Sequence, residues 1–164
     1  HETLYRSDNF ARVNMAAYLG SLANQIFRAA APGNGRVALK LAIEPQSVSL
    51  EQAVPCGLLV TELLSNSLKH AFPGERSGEV QVALAAVGGG PALSLTVRDT
   101  GAGLPADFSD RRTRSLGLQL VSDLTRQLRG TLDIGEGPGA SFTLNFTPLE
   151  PGAPGSQDAR RLPP

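Results

Sequence analysis

The pattern of apolar residues predicts an α/β two-layer sandwich, a mixed and mostly antiparallel sheet with helices packed on one face. Three observations carry this expectation. Stretches near residues 15–27, 50–72 and 116–128 hold apolar residues at helical spacing. Strand-like runs near 37–43, 80–87, 93–97, 131–134 and 141–146 lie between and after them. Four of those runs form two pairs, each joined by a short Gly-rich spacer, which fits hairpins and not a doubly wound parallel sheet.

Taken in order, Asn14 is placed to cap a helix in which Tyr18, Leu22, Ile26 and Phe27 form one stripe. Pro32-Gly33-Asn34-Gly35 stops it. Val37, Leu39, Leu41 and Ile43 then alternate with Ala38, Lys40 and Ala42, the period of a half-buried strand. A long helix is expected from about Leu50 to Phe72, with Pro55 near its first turn and Pro73-Gly74 closing it. Gly88-Gly89-Gly90-Pro91 separates the first strand pair, and Gly135 to Gly139 the second. Between the pairs, Asp99 to Arg114 reads as a loop, and Leu116, Leu120, Leu124 and Leu128 as a helix stopped by Gly130. From Pro148 the chain is rich in Pro and Gly and reads as a flexible tail. The expected division is therefore a helical lead-in over 1–31, a domain over 32–147 and a tail over 148–164.

Composition narrows the function classes. The 164-residue chain can bury a substantial core. Lys plus Arg and Asp plus Glu number 15 each, which argues against general nucleic-acid binding. Cys56 is the single cysteine, so no internal disulfide can form and a reducing, cytoplasmic setting is expected. No apolar run approaches the roughly 20 residues of a membrane span, although a parent protein could carry spans elsewhere.

Three segments carry candidate chemistry. On the long helix, Glu62, Asn66 and Lys69 fall within an arc of about 60°, with His70 at its edge. The amide oxygen can ligate Mg²⁺, the ammonium can meet phosphate, and the carboxylate can accept a proton or orient a nucleophile. Asp99-Thr100-Gly101-Ala102-Gly103 follows a strand, so its carboxylate can accept from an exocyclic amine while the glycines allow close approach. Ser115-Leu116-Gly117-Leu118 opens a helix whose free amides suit an anion, with Arg111, Arg112 and Arg114 just before it. Singly, each has a plain structural explanation: a solvated face, an ordinary turn, a capped helix start.

Their order is more specific. Glu62-x-x-x-Asn66, then Asp99-x-Gly101-x-Gly103, then a glycine-bearing loop into a helix resembles the ATPase fold shared by histidine kinases, gyrase, the Hsp90 chaperones and MutL, the Bergerat fold. Glu62-Leu63 through Asn66, Lys69-His70-Ala71-Phe72-Pro73, the Asp99–Pro105 segment and Ser115-Leu116-Gly117-Leu118-x-Leu120-Val121 are similar to the HisKA_2-type histidine kinases, over about Leu4 to Phe146. The resemblance implies ATP and Mg²⁺ as cofactors, with Asn66 as metal ligand and Glu62 as the catalytic polar group beside it. Lys69 and His70 would face the phosphates, Asp99 would read the adenine amine, and Gly101 and Gly103 would shape the pocket. Arg114, Ser115, Leu116, Gly117 and Leu118 would hold the triphosphate beneath a lid. Two departures are visible: Ser115 stands where the wider kinase pattern has glycine, and Gly139-Ala140 stands where Gly-Thr is frequent.

The same resemblance implies partners: the protein's own dimerisation and phosphotransfer helices, a response-regulator receiver domain, and a homodimeric parent. His1 and His70 are the only histidines. His70 belongs to the nucleotide motif and His1 reads as structural, so the phosphoacceptor is expected outside these residues. An anti-sigma-factor type of protein-serine kinase and a degenerate nucleotide-binding module are the competing expectations. A gyrase or chaperone ATPase ranks last.

Overall fold

Asn14 and Ser49 begin the first two helices by the same device. Each holds an extended backbone while its side-chain oxygen accepts from the amide three residues on, Ala17 at 3.2 Å and Gln52 at 3.3 Å. The computed structural model describes residues 11–105, 108 and 116–150. In chain order these form β1 (Arg12–Asn14), α1 (Met15–Ala30), β2 (Val37–Ile43), β3 (Ser47–Ser49), α2 (Leu50–His70), β4 (Gly78–Ala86), β5 (Leu93–Asp99), α3 (Leu116–Gln127), β6 (Thr131–Ile134) and β7 (Ser141–Phe146). The helices and five longer strands fall where the apolar periodicities place them.

The five-stranded sheet has the order β2-β4-β5-β7-β6. Its β4–β5, β5–β7 and β7–β6 ladders are antiparallel, and β2–β4 is parallel. The mixed, mostly antiparallel α/β sandwich is therefore the one expected. The parallel pair arises because α2 lies between β2 and β4 in sequence and returns the chain to the same end of the sheet. The sequence pattern did not mark β1 and β3, which pair antiparallel from Arg12↔Ser49 to Asn14↔Ser47. Three residues are too few to show a period.

Alternation places Val80, Val82 and Leu84 of β4, Leu93, Leu95 and Val97 of β5, and Phe142, Leu144 and Phe146 of β7 in the core. The helices cover that face with Leu59, Val60, Leu63 and Leu64 of α2 and Val121 and Leu124 of α3. Helix α1 adds Met15, Leu19 and Ala23, all fully buried in the same core, so the described part of the expected lead-in packs with the domain. At the other end, buried Gln52 donates to the Thr147 carbonyl at 3.0 Å and accepts from the Leu149 amide at 2.9 Å. Arg12 donates to the Leu149 carbonyl at 3.1 Å, so the first residues of the expected tail are tied beside β1. Pro55 is the sixth residue of α2, beyond the first turn, and is buried where the helix loses one internal bond. No described helix is long and apolar enough to cross a membrane.

Candidate functional site

Asp99 is the last residue of β5, and the sheet carries it to the floor of an open pocket of about 930 Å³. It is only 6% exposed, so its carboxylate needs donors in place of water. Three are supplied. Oδ1 accepts from the Gly101 amide at 2.9 Å and the Ala140 amide at 3.2 Å, while Oδ2 accepts from the Ser67 hydroxyl at 2.7 Å. The loop after β5, helix α2 and the residue just before β7 thus converge on one carboxylate.

The loop after Asp99 is held against the end of α2. Ala102 donates its amide to the Ala71 carbonyl at 2.8 Å, and a Cβ on Gly101 would lie 2.3 Å from that same oxygen. Arg76 donates to the Gly101 carbonyl at 2.9 Å, and Arg36 to the Phe72 carbonyl at 3.0 Å, so two guanidinium groups bind the turn and the loop together. Gly103 has φ +81°, a conformation that side chains disfavour, and approaches the Pro138 carbonyl closely.

The structure divides the stripe expected on α2. Leu63, Asn66, Ser67 and His70 face the pocket, an arc turned about 80° from the one through Glu62, Asn66 and Lys69. Asn66 and His70 remain in the lining; Lys69 is exposed and lies outside it. Glu62 is half-buried and also outside the lining. It abuts α3, where a Cβ on Gly117 would fall against Glu62 Oε1. Of the α3 residues, Leu118 lines the pocket, whereas Leu116 is 83% exposed. Arg111, Arg112, Arg114 and Ser115 lie outside the described residues.

Sequence reasoning overlooked Ser67, the Ala140 amide and the apolar walls made by Leu63, Phe108 and Phe142. Phe108 and Phe142 stand with ring centroids 6.0 Å apart and a tilt of 59°, a favourable aromatic geometry. The i, i+3, i+4, i+7 spacing of Leu63, Asn66, Ser67 and His70 was the available signal, hidden because half of that face reads as core. Cys56 is buried elsewhere on α2, and burial pushes its thiol up to about 12, far from the range of a nucleophile.

The profile of the family described as histidine kinase-, DNA gyrase B-, and HSP90-like ATPase matches residues 51–151, which include every residue lining this pocket. The chain belongs to that family. Curated relatives of this ATPase-family domain include blue-light-activated histidine kinase 2 of Erythrobacter litoralis, 34% identical over 125 residues, covering 76% of this chain and 35% of the relative. The sensor histidine kinase PdtaS of Mycobacterium tuberculosis is 36% identical over 83 residues, 50% of this chain and 16% of the relative. Among solved structures, the histidine kinase domain of a blue-light activated histidine kinase from Erythrobacter litoralis superposes with a TM-score of 0.74 at 33% identity, covering 82% of this chain and 61% of that one. The ATPase-family domain thus spans about a third or less of the curated relatives' length.

Proposed function

We propose that this ATPase-family domain is the ATP-binding catalytic domain of a sensor histidine kinase. It would pass the γ-phosphoryl group of ATP to a histidine outside these residues, and from there to a response-regulator aspartate. The observation that carries the reading is Asp99, a buried carboxylate secured by Ser67, Gly101 and Ala140 on the floor of a large pocket of the ATPase family. Its remaining acceptor capacity suits the exocyclic amine of adenine, and Leu63, Phe108 and Phe142 supply apolar surface for the flat base.

Asn66 and His70 also line the pocket, and in this reading they would meet the phosphates of a nucleotide seated on Asp99. Among the described residues no group of three or more His, Cys, Asp or Glu is placed to hold a metal, so a protein-built cage is absent there. A single amide oxygen suits Mg²⁺, which retains waters and takes phosphate oxygens as its other ligands. When bound, Mg²⁺ supplies charge neutralisation to the transferring phosphoryl group. Glu62, which lies beside Gly117 at the start of α3, would orient the incoming imidazole or take its proton. In this reading Gly117 and Leu118, at the start of α3, would face the phosphate end of the nucleotide. Lys69, exposed and next to His70 in the chain, would reach the phosphates only from outside the pocket, and Arg114 and Ser115 are proposed to contribute to phosphate binding.

The dimerisation helices, a receiver domain, a homodimeric parent and a cytoplasmic location belong to the same proposal. The identity with histidine kinases at 33–36% supports it, as does a pocket that uses His70 in its lining and leaves Cys56 inert. The test is calorimetric titration of Mg-ATP into the chain, followed by labelling of the full-length protein with γ-labelled ATP. Saturable one-to-one binding and an acid-labile phosphoryl product are expected. Absence of binding by the folded chain overturns the reading, and an acid-stable product redirects it to a serine kinase.

A further inference from the structure

We infer that Ser67 is a specificity-determining residue of the pocket, making its floor a surface of hydrogen-bond acceptors that admits an amino-purine and rejects an oxo-purine. The inference rests on the nucleotide-binding reading and extends it to a residue outside the family motif.

Asp99 Oδ1 already carries two donors, the amides of Gly101 and Ala140. Its capacity is thereby filled, and those two amides are no longer offered to a ligand. Oδ2 carries one donor, the Ser67 hydroxyl at 2.7 Å, and retains room for one more. In that bond the Ser67 hydroxyl is the donor. With its single proton committed, Ser67 Oγ faces its remaining surroundings as an acceptor only. Both residues line the pocket, at 9% and 6% exposure, so water cannot freely repair a mismatch there.

The floor therefore presents two neighbouring oxygens with lone pairs and no proton. A 6-amino group brings hydrogens to it. A 6-oxo group brings a third acceptor, which leaves buried polar atoms unpaired and is rejected strongly. The hydroxyl also sets its own oxygen beside Oδ2, so the Ser67 side chain supplies the second of the two acceptors.

The experiment is a cycle that pairs a protein change with a ligand change. Wild type and Ser67→Ala are titrated with ATP, with purine riboside triphosphate (hydrogen in place of the amine) and with inosine triphosphate. For wild type, ATP is expected to bind at least about tenfold more tightly than inosine triphosphate. In Ser67→Ala, ATP is expected to weaken about five- to tenfold and purine riboside triphosphate less than about twofold, because only ATP brings amine hydrogens to the paired oxygens. Equal losses for both ligands would mean that Ser67 merely supports the fold, and would overturn the inference while leaving the ATP site intact. Wild type that binds inosine triphosphate as tightly as ATP overturns it without any variant. If wild type binds none of the three, the nucleotide reading itself falls.

Discussion

Replacing Asp99 by Asn preserves the shape of the pocket floor and reverses part of its polarity. The Asn oxygen can still accept from the Gly101 and Ala140 amides, at the 2.9 and 3.2 Å separations seen for Oδ1. The new amino group then occupies the place of Oδ2, and the Ser67 hydroxyl must turn from donor to acceptor. The fold should survive with a stability change of about 1 kcal/mol or less, since each neutral partner keeps a bond. The ligand fares worse. An adenine amine loses a hydrogen bond to a charged acceptor, worth about 1.5–3 kcal/mol, and meets a donor instead. At about 1.4 kcal/mol per factor of ten, Mg-ATP should bind about 10- to 100-fold more weakly. Calorimetric titration measures this directly, with thermal melting as the control for folding. A loss below about threefold in a normally folded variant would refute the assignment of Asp99 as the base-reading group.

Asn66→Ala should weaken ATP binding about tenfold or more in Mg²⁺ and little in EDTA, as titrations under the two conditions will show. Gly101→Ala places a Cβ within 2.3 Å of the Ala71 carbonyl oxygen and 2.5 Å of the Ala71 Cβ, so loop and helix end must part. The cost expected is about 1–3 kcal/mol, read as a lower melting temperature together with weaker ATP binding. Burial raises the Cys56 thiol from 9.0 to about 12, so between those values the unfolded chain releases a proton that the folded chain keeps. Stability should therefore fall as pH rises through that window, by about 1 kcal/mol between pH 8 and pH 10. Urea denaturation of wild type and Cys56→Ala at both pH values isolates this part, and an equal fall in the two proteins would refute it.

Local pattern determined the three helices and the five longer strands, and the ordered motifs carried the resemblance to the family. The alternation of Val80, Val82 and Leu84, the four-residue recurrence of Leu116 to Leu128 and the Asn14 cap are properties of contiguous residues, legible because helix and strand periods differ. The Asp99-x-Gly101-x-Gly103 motif was legible for the same reason: a close approach to Ala71 and a positive φ both demand glycine in sequence. What required the tertiary structure were partners chosen across long separations. The β1–β3 ribbon joins segments too short to show a period, and the β2–β4 pairing depends on how α2 returns the chain. Helix α2 illustrates the difference most clearly. Charge suggested the face through Glu62, Asn66 and Lys69, but packing against β5 and α3 rotated Leu63, Asn66, Ser67 and His70 into the pocket. Ser67 meets Asp99 across 32 residues and Ala140 meets it across 41, and no periodicity in the chain encodes either contact. A side chain's chemistry is written in the sequence, whereas the group it faces is settled only when the sheet and helices close around it.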